Sequence, residues 1–295
     1  MIDVLINQSF DLVVEEMAEF REYIAEHKIK MVRNMATTSS LLCTEWAQTP
    51  HELVSEIRYQ SSKDFIGGAR WKMVDNNGTN LEGTIVDPLN RPGVPGMPYS
   101  SRREEAGYYH PWPEWVHPPV NVSDTNGEFV FDCMLSWWSR YIGISPFFKD
   151  FIRLTVEKGR ITKIEGGAEA EALKSFLKSM EERLGDAVYG FPEVHAGVHP
   201  CPQVGPHQLS NPLHRRIVEH SGTNCIHMHI GAPWPSEKYP YWLHITADIL
   251  DATWRVGGKT VLDRGYQTAL DDPAVRAVAE KYPDRPGLNP WPKSF

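Results

Sequence analysis

The sequence predicts an α/β protein of the α+β kind: a small α/β N-terminal domain, then a β-rich domain with one long helix. Three observations carry this expectation. The first 66 residues read helix, strand, loop, helix, which is the order of an α/β layer. From Ala69 onward the apolar residues alternate in short runs separated by Asn-Gly and Gly-Gly turns, the pattern of hairpins. Ala168 to Leu184 breaks that alternation with a helical stripe at Ala172, Leu173, Phe176, Leu177 and Met180. The expected division is therefore 1–66 and 67–295, with a Pro/Trp-rich loop at 87–120 inside the second part.

Each element has a local reason. Leu12, Val13, Met17, Phe20, Tyr23 and Ile24 recur at helical spacing. Lys28 to Thr38 reads as a strand and a small-residue loop. Thr49-Pro50-His51-Glu52 has the form of a capping box that opens a helix running to about Tyr59. Arg70 to Val74 and Asn80 to Val86 form a hairpin around Asn76-Asn77-Gly78. Glu128 to Asp132 is a strand, and Phe151 to Val156 with Arg160 to Ile164 a second hairpin. Segments 224–230 and 243–250 read as buried strands, Thr253 to Leu262 as a hairpin around Gly257-Gly258, and Asp272 to Lys281 as a short helix.

Composition limits the partners. The chain of 295 residues has a formal net charge of −8 and no basic block, which argues against nucleic acid and anionic membranes. No run approaches the ~20 apolar residues of a membrane-spanning helix, and the acidic start of the chain does not resemble a signal peptide. The four cysteines, Cys43, Cys133, Cys201 and Cys225, show no CxxC spacing and read as reduced thiols of a cytoplasmic protein. Ten Trp and 23 Pro, many between positions 88 and 119, suggest a rigid wall lining a pocket or a homo-oligomer interface.

Chemistry concentrates between Pro192 and Asp248, where eight of the twelve histidines lie. Imidazole is the commonest transition-metal ligand. On strands or strand ends the sequence offers Glu128, Glu193, His227, His229, His244 and Asp248. Alternation puts His227 and His229 on one face of a strand, and His244, Thr246 and Asp248 on one face of another. His244 and Asp248 are nevertheless roughly 13 Å apart along an extended strand, too far to share one ion without a bend. His207, His214 and His220 lie in a polar segment and read as surface residues. There is no HExxH, no GxSxG and no Walker loop.

Five segments resemble the aminopeptidase T/S type metallopeptidases in order and spacing, over about residues 70 to 265. They are Val74 to Leu81, Asn126 to Phe131, Gly190 to Pro200, Gly222-Thr223 with His227 to Gly231, and His244 to Gly265. The resemblance implies Glu128, Glu193, His227, His244 and Asp248 as ligands of two metals. One departure stands out: this chain has His-x-x-x-Asp where the peptidases have His-x-Asp. In compactness the chain looks closer to a second group with the same fold, the 2,5-dihydroxypyridine 5,6-dioxygenases, which hold one Fe(II).

Three functions follow as expectations. The first is a mononuclear non-haem Fe(II) dioxygenase that uses O2 to open a hydroxylated aromatic or N-heteroaromatic ring. Its ligands would come from His227, His229, His244 and Asp248, with Glu193 and His195 in reserve. His117 or Glu105 would take the substrate hydroxyl proton, and Tyr108, Tyr109, Trp112, Trp115 and Phe191 would hold the flat substrate. The second is a metal-dependent hydrolase or aminopeptidase with Glu128 or Glu193 as base. The third is a metal-free binding or structural homologue. Zn and Mn accept the same donors as iron.

Overall fold

The computed structural model describes residues 4–7, 22–23, 26–34, 42–86, 109–112, 120–122, 124–134, 136–200, 221–231 and 243–288. The helix expected over residues 10–27 falls almost wholly outside them, as does most of the Pro/Trp-rich loop.

Two sheets organise the chain. The smaller is parallel and has three strands: β1 (Val4–Asn7), β2 (Lys30–Asn34) and β5 (Tyr109–Trp112), with β2 central. Its third strand comes from within the Pro/Trp-rich stretch, so both sides of position 66 build it. The second sheet has twelve strands. Its path runs β15 (Tyr266–Gln267), β14 (Lys259–Asp263), β13 (Thr253–Val256), β3 (Arg70–Val74), β4 (Asn80–Thr84), β7 (Asn126–Met134), β12 (Ile245–Leu250), β11 (Cys225–Ile230), β10 (Glu193–Ala196) and β6 (Val120–Asn121). Strands β8 (Phe147–Glu157) and β9 (Arg160–Glu165) branch from the other edge of β7. The architecture is α+β, as the alternation and the single long helix predicted.

The local signals explain most of these elements. The β3–β4 turn closes because the Asp75 carboxylate accepts the N–H groups of Asn77, Gly78 and Thr79 at 2.8–2.9 Å. Helices α1 (Glu45–Gln48) and α2 (His51–Ser62) adjoin. The capping box expected at Thr49 does not form. Pro50 is the N-cap and makes no side-chain cap bond, while the Thr49 hydroxyl donates backward to the carbonyl of Glu45 at 3.1 Å. The hydroxyl is thus used to finish α1 instead of starting α2. After α3 (Ser136–Ile142), helix α4 spans Ala168–Leu184, and α5 (Pro273–Glu280) starts at Asp272, whose side chain accepts the N–H of Ala274.

Strand β7 meets β4 through Asn126–Glu128 and β12 through Cys133 and Met134 only, a seam of two residue pairs. Between them the register with β8 shifts at Asp132, an exposed bulge residue. The main core lies on one face of the large sheet and takes in Phe129, Phe131, Val194, Ile226, Met228, Ile245 and Ala247, with Leu173 and Leu177 of α4. A second core joins Leu53, Val54 and Ile57 of α2 to Leu270, Val275 and Val278 around α5.

Candidate metal centre

Strands β10, β11 and β12 are buried on both faces, which is why their sequence runs are short and lack an exposed polar side. Period-two alternation then sorts the side chains by chemistry. One face carries Val194, Ala196, Ile226, Met228, Ile230, Ile245, Ala247 and Ile249, all in the main core. The opposite face carries Glu193, His195, Cys225, His227, His229, Thr246 and Asp248.

Register aligns that polar face into rows. His195 lies opposite His227, His227 opposite Asp248, and Asp248 opposite Cys133. One row therefore crosses four strands. The next row sets His229 opposite Thr246. His244 stands one residue ahead of β12 and reaches back to the same place.

Two groups of donors result, each with its ligand atoms within 4.8 Å of one another: Glu193, His229 and His244; and Cys225, His227 and Asp248. In the first, His229 Nδ1 is 2.9 Å from Glu193 Oε2 and 2.6 Å from His244 Nε2. Its other nitrogen, Nε2, is 2.9 Å from His195 Nε2. His195 stands between the groups, its ring centroid 4.7 Å from that of His227 and 4.6 Å from that of His229. Glu193 and His229 are 4% and 2% exposed.

The first group fits a cation. Neighbouring ligands about 2.1 Å from an octahedral ion lie about 3 Å apart, close to the 2.9 and 2.6 Å spacings around His229 Nδ1. That nitrogen carries at most one hydrogen, yet it faces a carboxylate oxygen and an imidazole nitrogen at once. A cation held by the three would satisfy all of them, and the ring proton of His229 would then stand on Nε2, 2.9 Å from His195 Nε2. A metal-bound imidazole is ordinarily oriented in this way by a partner on its other nitrogen.

The remaining sequence candidates separate. Glu128 does not reach the cluster. It lies five residues from Cys133 along β7, roughly 16 Å away, where it accepts from the Thr155 hydroxyl at 2.9 Å and pairs with Arg153 at 3.9 Å. Phe191, expected against a substrate, is fully buried in the main core beside Phe129, with ring centroids 5.5 Å apart. Tyr109 and Trp112 lie on β5 in register with Met31 and Asn34. Glu105, Tyr108, Trp115 and His117 lie outside the described residues, as do His207, His214 and His220. His199 is structural: it stacks on Trp46, with Nε2 3.0 Å from the Trp46 carbonyl oxygen. A polar cavity of about 420 Å³ beside Arg70, Lys72 and Arg255 is lined by none of the cluster residues.

Cys225 is the member of the two groups that spacing alone had not singled out. Its signal was the Cys-x-His alternation on a buried strand, which puts thiol and imidazole on one face. Two glycines frame the site. Gly197 passes so close to the chain at Ser221-Gly222 that a Cβ would stand 2.0 Å from the Gly222 carbonyl oxygen. Gly231, with φ +116°, ends β11 against Leu243, where a Cβ would meet the carbonyl oxygen at 2.5 Å.

The family model described as NicX, 2,5-dihydroxypyridine 5,6-dioxygenase, matches residues 52–201, about half of the chain. The chain belongs to this family. Among solved structures, a 2,5-dihydroxypyridine dioxygenase from Pseudomonas putida KT2440 is similar at 15% identity and a TM-score of 0.56, covering 89% of this chain and 71% of that one. AmpT from Thermus thermophilus is similar at 9% identity and a TM-score of 0.47, covering 85% of this chain and 67% of that one. No curated protein sequence matches the chain. The family match ends at Cys201, so it takes in Glu193 and His195 of this NicX-family chain and stops before β11 and β12.

Proposed function

We propose that this chain is a mononuclear non-haem Fe(II) dioxygenase that opens a hydroxylated aromatic or N-heteroaromatic ring. The single observation that carries the reading is the convergence of Glu193, His229 and His244. Two imidazoles and one carboxylate with further positions left open is the donor set of non-haem Fe(II) oxygenases. These three residues would hold the ion, with His227 and Asp248 belonging to a separate group. Iron bound there supplies the redox chemistry that lets O2 react with an electron-rich ring.

The chain's own groups do the rest. His195 takes the Nε2–H of His229 and so keeps Nδ1 free as a ligand. Thr246, opposite His229, leaves that row with one carboxylate instead of two, which suits a single ion. The substrate hydroxyl proton goes to the loop that carries Glu105 and His117, and Tyr108, Tyr109, Trp112 and Trp115 of the same stretch supply flat aromatic surface. Phe191 is excluded from that role by its burial. A peptidase reading is weakened because two ions about 3.5–4 Å apart need bridging carboxylates between them, and Glu128 is engaged by Thr155 and Arg153 instead.

The test is anaerobic purification, reconstitution with Fe(II), and addition of 2,5-dihydroxypyridine followed by air. Oxygen uptake matched to loss of the substrate chromophore, absent from Glu193→Gln, is the expected result. Peptide hydrolysis supported by zinc, with no oxygen uptake, overturns the proposal.

A further inference from the structure

Far from the metal centre, the exposed face of β13, β3 and β4 carries a charge pattern that the proposed reaction does not use. Pairing sets Arg255 opposite Lys72 and Lys72 opposite Glu82, with Arg70 opposite Thr84 in the next row. Alternation brings these side chains to one face, while Trp71 and Met73 turn into the core. Arg70 and Arg255 have no acidic partner among the described residues. Lys72 has Glu82 at 3.8 Å, with both side chains more than half exposed. Like charges directly opposite on neighbouring strands destabilise a sheet. The chain as a whole carries a net charge of −8, so three cations gathered here run against its composition. They surround the polar cavity of about 420 Å³, whose lining also includes Glu82, Thr84 and Asp124.

We infer that Arg70, Lys72 and Arg255 form a binding site for a small dianion, either a phosphate monoester or a dicarboxylate. Three arguments carry it. The first is spacing. Lys72 stands directly opposite Arg255, about 5 Å away at Cα, and roughly 7 Å from Arg70 along β3. Three long side chains can therefore converge on one group with several oxygens, which relieves their mutual repulsion. The second is chemistry. Guanidinium forks take phosphate and carboxylate oxygens in pairs, and the ammonium adds a compact charge. The Thr84 hydroxyl, in the row of Arg70, is a further donor. The third is size. The cavity has the volume of a small-molecule site, and the carboxylates of Glu82 and Asp124 in its lining repel the extended charge of a nucleic acid or an anionic membrane. Asp124 is held there by accepting the backbone N–H of Thr84 at 2.8 Å. These acids accept instead from N–H or O–H groups on the body of the ligand. Strand β7 separates this face from β12, and neither donor group of the metal centre contributes to it. The inference therefore stands whether or not iron binds.

The test is calorimetric titration of the full chain with inorganic phosphate and, separately, with malonate, at an ionic strength held constant with chloride. Saturable binding of one anion per chain is expected. Tighter phosphate assigns the site to phosphate monoesters, tighter malonate to dicarboxylates. Arg255→Gln and Lys72→Gln should each weaken binding about five-fold or more. Lys163→Gln, which removes a cation paired with Glu165 on β9, should leave it unchanged. Glu82→Gln should tighten it about two-fold or more, since a repelling charge is lost and Lys72 is released. A purely structural role for these residues does not produce that gain. All four side chains are exposed, so the variants keep the fold, and circular dichroism checks this. Heats that do not saturate with either anion, or equal affinities in the wild type and the Lys72→Gln/Arg255→Gln double variant, overturn the inference. Binding of duplex DNA or of phosphatidylglycerol vesicles in place of both small anions also overturns it.

Discussion

On one face of β11 stand Cys225, His227 and His229; on the other stand Ile226, Met228 and Ile230. All six are buried, and the strand's neighbours extend the same division, with Glu193, His195 and Asp248 on the first face and Val194, Ala196 and Ala247 on the second. Burial here does not imply a hydrophobic role. The apolar face is held by dispersion and by water exclusion, which tolerate exchange of shape. The polar face is held by directional contacts among imidazoles, carboxylates and thiol, which do not. The two faces share one backbone, so substitutions on β11 test them one at a time.

The largest stability loss belongs to the apolar face. Met228→Ala is expected to cost about 2–5 kcal/mol through the cavity it leaves, with metal content per folded chain unchanged. Denaturant unfolding combined with metal analysis reads both quantities. Glu193→Gln is expected to do the reverse. Iron affinity should fall by about 10- to 100-fold or more, since even outer partners of a ligand cost that much, while the unfolding midpoint of the metal-free protein stays close to wild type. His195→Phe should lower iron affinity by about ten-fold through loss of the acceptor for His229 Nε2–H. A fall equal to that of Glu193→Gln would make His195 a ligand instead.

The smallest effect lies at the start of α4, the helix that covers the apolar face. Glu169 accepts the backbone N–H of Lys149 at 3.0 Å, and that bond holds its carboxyl below the ordinary value of 4.5. A group with a depressed folded pKa stabilises the protein above its unfolded value, and the contribution is lost as pH falls through the folded one. Glu169→Gln should therefore flatten the acid limb of a stability-versus-pH curve and leave the neutral region nearly unchanged.

What the sequence made legible follows the same division. Helix α4 was read with its observed ends, because seventeen residues of helical spacing have no competing reading. Strands β11 and β12 were recognisable from short apolar runs, and the separation of His244 from Asp248 from the length of a strand. Position along the chain does not reveal pairing across it. That is why the rows joining His195, His227, Asp248 and Cys133 were invisible, and with them the split of one presumed ligand set into two groups. Glu128 read as a ligand because it stands at a strand end in a segment that resembles the peptidases, yet its neighbours Thr155 and Arg153 come from β8, which spacing does not foretell. Phe191 had the composition of a pocket wall and the packing of a core. The Thr49 hydroxyl had two backbone ends within reach, and the upstream one took it.

The seam between β7 and β12 bears on the order in which this molecule assembles. It joins Cys133 to Asp248 across 115 residues, and the Cys133 thiol reaches the Asp248 carbonyl at 3.5 Å. Contacts so distant in sequence are reached only after a large loss of chain entropy, and they form late. A growing chain that has released β7, β10 and β11 already displays six of the eight clustered donors and thiols, Cys133 among them, but it has no carboxylate from β12 and no His244. The site is complete only when the two halves of the large sheet have closed on each other.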